Sequence, residues 1–582
     1  MADQNAKKGQ NEMTLVYKQD KSEINIFGGE FVSRCIDNCY LMIDGEKKDL
    51  SSKITCTKEQ MIVQLIETET IDDMSSMFDG CSTLIAINAE NWNFSNVNNM
   101  SYMFNNCLYL ESVESLANAD ISKVESLTYM FNGCSALKSL KGLENWNTQN
   151  VMDMSNMFNG CSSIESVEAL EQWNVENLGD ASHLFHNCSS LKKIKGLTKW
   201  NMSNCSNISS LLDGCSSLIS LKGLENWDIN RVNNMSSTFS GCQTLKSVEE
   251  LEKWDTSSCM NQSFAFNKCS NLKTLKGLNK WNMTNCYDMS HMFSECSSLS
   301  TLKDLENWNT QNVMTIDYLF NGCISLKSLD GLQKFITTNA NELSCLFNQC
   351  SSLLSVDELE NWDVSNATNI DYLFNNCSSL ESIKGLRKWN TSKVENMSYV
   401  FNGCSSLASI EDLTNWDTSS VTDMSQMFNG CSNLLCTKGL EKWNTSHVTE
   451  MYYMFGDCSS LFFLQELENW DTSSVINMSS MFEECSSLLN VEALAKWNTS
   501  NVTNMSSMFE DCSSLGSLQG LENWDVSNVT DLTQMFSGCS ELESVEILAN
   551  WNTTNVKEMI SVFNNTNIQS GPSNFKYSIS SS

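Results

Sequence analysis

The chain has 582 residues, with 70 acidic against 36 basic side chains, 26 cysteines, 16 tryptophans and one proline. Its net charge of -34 excludes a protein that wraps nucleic acid, because phosphate binding needs Lys and Arg to displace counterions. With 41% hydrophobic residues it has ample material for a core, so disorder for want of apolar content is excluded too.

In chain order, Lys7 and Lys8 are followed by no apolar stretch, so residues 1–12 read as a disordered lead and not as a secretory signal. No run approaches the roughly 18 apolar residues of a membrane-spanning helix, and no membrane insertion is expected. The expected location is the cytoplasm, with the cell surface reached only by unconventional export. In a reducing compartment the cysteines are expected as thiols.

Residues 13–70 do not repeat. Met13–Lys18, Ile24–Phe27, Tyr40–Ile43 and Met61–Ile66 are short β-prone runs, and Asp44-Gly45 is a hairpin signal. They predict a small N-terminal β cap that covers the first repeat.

From 71 to 565 the chain repeats. Eighteen cysteines form one series, from Cys81 and Cys107 through Cys134, Cys161, Cys350 and Cys512 to Cys539, and every step after the first is 27 residues. An aromatic residue such as Phe509 stands three places before each cysteine except at Leu212, and Leu stands three places after except at Ile164. Tryptophan keeps the same beat, failing only at Ala119 and Phe335. A fixed period of about 20–50 residues with one apolar set per period is a solenoid, whose core closes only by stacking.

In the rung that starts at Trp497, the apolar residues Met505, Met508, Phe509, Cys512 and Leu515 have helical spacing, and Thr503 is a plausible N-cap. Leu515, Leu518 and Leu521 fit a short strand or tight corner. Each rung therefore reads as one short strand plus one short helix, an α/β solenoid of about 18 rungs of 27 residues. In the last rung Thr566 replaces the cysteine, and the polar stretch that follows contains Pro572. Residues 566–582 are expected to be a disordered tail.

The rung W-N-T-S-x-V-T-x-M-S-x-M-F-x-x-C-S-S-L-x-S-L resembles the BspA-like leucine-rich-repeat family, described as surface proteins. The resemblance implies a leucine-rich-repeat-like solenoid without catalytic activity, used for protein binding or adhesion.

The cysteine row lies between Phe and Leu at core spacing, and Cys205, Cys259 and Cys286 fill a slot held by Val421, Val448 and Val502 elsewhere. That favours packing over metal or redox chemistry. Cys345 and Cys436 take normally polar slots and are expected to be exposed. His183, His186, His291 and His447 fall in variable, solvent-facing slots, so a His183–His186–Cys188 metal triplet is the weaker reading. A Trp platform for carbohydrate is likewise set below a structural role for the row.

Charged slots divide in two. One row nearly alternates, as in Lys141, Glu168, Lys276, Lys303, Asp330, Glu411 and Lys438, which suits pairing between adjacent rungs. A second row is acidic: Glu144, Glu171, Glu225, Glu252, Glu306, Glu360, Glu441, Glu468 and Glu522. Stacked like charges are costly, so this stripe is a candidate site for a basic protein partner or calcium, with a solubilising edge as the plain alternative. No Gly-x-Ser-x-Gly, P-loop or dinucleotide fingerprint occurs. The expectation is a non-enzymatic scaffold for protein-protein interaction that needs no cofactor. The alternatives are a cell-surface adhesin and a calcium-responsive structural protein.

Overall fold

The computed structural model describes residues 11–575 except 20, 57 and 569. Residues 1–10 and 576–582 of the expected lead and tail lie outside the described residues. The chain divides into two compact units between Cys286 and Tyr287.

The β-prone runs form the cap. Strands β1 (Glu12–Lys18), β3 (Cys39–Ile43), β4 (Glu46–Asp49) and β6 (Gln60–Glu67) make an antiparallel sheet, while β2 (Glu23–Asn25) pairs with β5 (Lys53–Thr55). Alternation fixes the register: Met13, Leu15 and Tyr17 of β1 and Met61, Val63 and Leu65 of β6 face inward. Asp44 and Gly45 join β3 to β4 with φ of 54° and 80°, the two left-handed residues that a two-residue hairpin needs.

Two features of the cap were not expected. Helix α1 (Gly29–Cys35) buries Phe31 and Cys35. The sheet, in order β4-β3-β6-β1-β7, ends on β7 (Leu84–Asn88), which belongs to the first rung. Cap and solenoid thus share one sheet, and Phe27 packs tilted against Phe78, ring centres 5.5 Å apart, to begin the phenylalanine row. Gly28 makes this junction possible, since a Cβ there would lie 2.0 Å from the Ser76 carbonyl oxygen.

The expected rung helix is replaced by a series of turns. From Met505 to Asp511 alternate N–H groups leave the rung: Met505, Ser507, Phe509 and Asp511 donate to Asp531, Thr533, Met535 and Ser537 of the next, at 3.1, 2.8, 2.9 and 2.7 Å. Between them, the N–H groups of Met508 and Glu510 donate three residues back to Met505 and Ser507, and Cys512 does the same to Phe509. An α-helix would return every N–H to the carbonyl four residues back. It is also closed off by φ of 53° at Ser507 and 54° at Asp511, left-handed values that turn the chain each time. Thr503 is no N-cap; its hydroxyl donates to Ile476 of the rung before at 3.3 Å.

The expected strand shrinks to isolated parallel bridges such as Asn490 to Ser517. A second bridge row joins Asn477, Asn504 and Asp531 of successive rungs. Short 3-10 turns such as Glu492–Leu494 alternate irregularly with glycine turns such as that at Gly520, φ 105°. The α/β assignment is therefore corrected: among the described residues the only α-helix is α1 in the cap, and each rung is a chain of turns held by its neighbours.

The tail is also corrected in part. Phe575 is buried against Trp551 and Phe563, at 6.1 and 5.2 Å. Asn574 accepts from the Thr553 hydroxyl at 2.6 Å, standing in for the rung that would come next.

Candidate functional site

Cys107, Cys134, Cys161, Cys350 and Cys512 are fully buried. Each thiol donates to a phenylalanine carbonyl one rung back, from 3.0 Å for Cys512 to Phe482 to 3.3 Å for Cys350 to Phe320. Burial disfavours the thiolate, pushing Cys350 up to about 12 and Cys161 and Cys512 well above the usual thiol range. Thiolate is the nucleophile and the metal ligand, so this row is packing material. No disulfide forms among the described residues. Cys345, expected to be exposed, is 5% exposed, and burial holds its thiol at about 11; Cys436 is half-buried.

Phe509 is buried and stacks on Phe536 at 5.6 Å. Trp497 stacks on Trp524 at 6.2 Å, and its Nε1 donates to Leu467 one rung back at 3.0 Å. The tryptophan faces are covered by one another, which leaves no open platform along this row.

The acidic stripe resolves into two local jobs. Where a rung turns on glycine, the carboxylate accepts the glycine N–H: Glu144 from Gly142, Glu225 from Gly223, Glu441 from Gly439 and Glu522 from Gly520, at 2.6, 2.6, 2.8 and 2.7 Å. Where a rung turns as a 3-10 segment, the carboxylate meets a lysine of the next rung. Glu171 pairs with Lys199, Glu252 with Lys280, Glu360 with Lys388 and Glu468 with Lys496, at 3.0, 2.6, 2.8 and 2.7 Å. Glu306 follows the turn Lys303–Leu305, its N–H bonded to the Lys303 carbonyl at 3.3 Å. Eight of the nine stripe carboxylates are thus engaged within the protein.

The alternating row pairs between rungs, as in Lys141 with Glu114, Lys276 with Glu249, Lys303 with Asp330 and Lys438 with Glu411, at 3.3, 3.3, 3.1 and 2.9 Å. His186 lies 3.2 Å from an Asp213 carboxylate oxygen, while Cys188 points into the core. The possible triplet is not assembled. Among the described residues no three His, Cys, Asp or Glu side chains gather as a metal site.

Sequence reasoning passed over two exceptions to the repeat. In the slot after the strand-like Leu, Leu435, Phe462 and Leu489 occupy three successive rungs, with Phe463 beside them. They are 51, 41, 46 and 57% exposed respectively. A bridge from Cys436 to Phe463 and the bond from Phe462 N–H to Leu435, at 3.1 Å, hold the first two rungs in register. Asp457 and Glu484, on the rungs of Phe462 and Leu489, and Asp511 on the rung after share the left-handed slot before the cysteine. A hydrogen bond and repulsion from Asp457 raise Glu484 to about 7. The signal was present in the sequence as Leu, Phe and Leu where other rungs carry Lys192, Lys246, Lys273 or Glu381.

Comparison with known proteins bears on the repeat. The family model described as "Mycoplasma protein of unknown function, DUF285" matches residues 48–140, 108–221, 138–248, 217–329, 298–410, 406–515 and 487–580. No curated protein matches. A crystal structure of a leucine rich cell surface protein from Faecalibacterium prausnitzii A2-165 aligns at 19% identity over 53% of this chain and 81% of that chain. Its TM-score is 0.29, too loose a superposition to support conclusions about either protein. The family matches run without a gap from 48 to 580, and the chain belongs to the DUF285 family of BspA-like repeats.

Proposed function

We propose that the protein is a non-enzymatic scaffold whose unit Tyr287–Ser582 docks a basic protein. The observation that carries this reading is the exposed apolar group Leu435, Phe462, Phe463 and Leu489. Large aromatic side chains held in register on a fixed backbone are the kind of anchor that dominates protein interfaces, and solvent-exposed clusters of this sort are otherwise a liability. The carboxylates Asp457 and Glu484 on two of these rungs and Asp511 on the next, together with the net charge of -34, favour a partner that brings Lys or Arg. A row of buried cysteines packed as core suits a reducing compartment, and there we place the protein.

The test is affinity capture from the native cell with mass spectrometry, using the full chain and the F462S/F463S variant at low and high salt. The reading expects a basic protein captured by the parent, weakened by salt, and lost from the variant. Equal capture by both chains would overturn it. Protease treatment of intact cells checks the location: trimming of the protein from outside would contradict an internal site.

A further inference from the structure

The other unit holds a feature of opposite sign. Between Asp180 and Glu225 the only acidic residue is Asp213, against five lysines: Lys192, Lys193, Lys195, Lys199 and Lys222. Four of these, all but Lys199, line one open pocket of about 440 Å³ together with Ile219, and Glu168 is its one carboxylate. Ser220, also in the wall, donates its hydroxyl to Glu250 at 2.9 Å.

The pocket breaks the pairing rule of its own column. Lys276 and Lys303 stand on successive rungs as Lys195 and Lys222 do, but each meets the carboxylate on its other side, Glu249 at 3.3 Å and Asp330 at 3.1 Å, whereas Lys195 and Lys222 do not close on Glu168 and Glu249 in this way. Lys193 occupies a slot filled by Ser166 and Ser220 in the adjacent rungs, and the bridge from Ser166 to Lys193 fixes its place. Lys192 pairs with Glu165 at 3.0 Å. Among the described residues Lys193, Lys195 and Lys222 form no ion pair. Stacked like charges destabilise a fold, and in a chain with nearly twice as many acids as bases they are easily avoided. Beside them Ile219 is 58% exposed, an apolar wall next to three ammonium groups.

We propose that this pocket binds a phosphate or sulfate monoester, the anion held by Lys193, Lys195 and Lys222 and the body of the ester resting on Ile219. Lysine holds such groups as a point charge, and the volume is that of a small-molecule site. The step is binding alone, with no bond made or broken.

The test is calorimetric titration of the full chain at low ionic strength with phenyl phosphate, phenyl sulfate and inorganic phosphate. One phenyl ester, or both, should saturate a single site and bind more tightly than inorganic phosphate, and the stronger ester identifies the anion. The K195Q/K222Q variant should weaken binding by about tenfold or more, as should raised salt, while K438Q in the other unit changes nothing. K222Q removes one of the stacked like charges without setting a new one beside Glu249, so it should melt at or above the parent temperature and still weaken the ester, which separates lost binding from lost folding. The proposal is overturned by no binding of either ester to the parent, by unchanged binding to K195Q/K222Q, or by inorganic phosphate binding as tightly as both esters.

Discussion

At the scale of single residues, the repeated cysteine owes its place to size and to one weak hydrogen bond. A thiol fills the space between phenylalanine and leucine, and it donates to a carbonyl that already accepts an N–H within its own rung: Phe320 takes both the Cys323 N–H and the Cys350 thiol. A carboxylate cannot do either. Cys350→Asp should destabilise the protein by about 3–5 kcal/mol through an unpaired buried charge. Cys350→Ala should cost about 1–2 kcal/mol, in lost contacts and a small cavity. Thermal melting of the two variants checks the order; equal melting of Cys350→Asp and the parent would place the row outside the core. The same burial disfavours the thiolate that pairing or metal binding would need.

At the scale of the rung, the apolar positions were legible in the sequence and the backbone was not. Met505, Met508, Phe509, Cys512 and Leu515 satisfy a helix of period 3.6, but the wider set Val502, Met505, Met508, Cys512, Leu515, Leu518, Leu521 and Trp524 runs mostly in threes. Over one short segment the two periods coincide. The discriminating residue was glycine. Gly133, Gly160, Gly403 and Gly430 stand directly before the ladder cysteine, with φ from 70° to 73°. A glycine inside a helix costs about 1 kcal/mol relative to Ala, and its recurrence there marks a left-handed turn. The cap was more legible, since alternation and Asp44-Gly45 specify strands and a hairpin from neighbouring residues alone. Helix α1 is short and has no side-chain cap, so nothing local announced it.

The acidic slots show the same limit. Whether Glu144 caps a glycine turn or Glu171 meets Lys199 depends on which turn the rung makes, information that no single slot contains. One acidic group does remain under strain from its neighbours. Glu484 titrates near 7, from an ordinary 4.5, because of Asp457. A carboxyl group whose folded value is raised contributes stability that is complete below the unfolded value and is lost as pH rises through the folded one. The melting temperature should therefore fall between about pH 4.5 and 7 in part through this group, and Glu484→Gln should flatten that fall. An unchanged slope would mean that Asp457 and Glu484 do not repel in solution.

For the molecule as a whole, repetition and exception divide the work. The repeated slots supply the core, the bonds between rungs and most of the charge pairing, and they were readable because the chain writes them eighteen times. The exceptions are few: Leu435, Phe462, Phe463 and Leu489 in one unit, and Lys193, Lys195, Ile219 and Lys222 in the other. Neither stood out in the sequence, because each becomes a surface only when residues 27 apart are brought together. The acidic balance is uneven along the chain, and the lysine pocket is one place where it reverses.

The most direct measurement gives the apolar exceptions the occupants of ordinary rungs, in the variant L435K/F462S/F463S/L489E, and records melting temperature and capture of the basic partner together. The account predicts that the variant melts with the parent and captures nothing. A variant that melts well below the parent yet still captures the partner would contradict it, placing these side chains in the core and binding elsewhere.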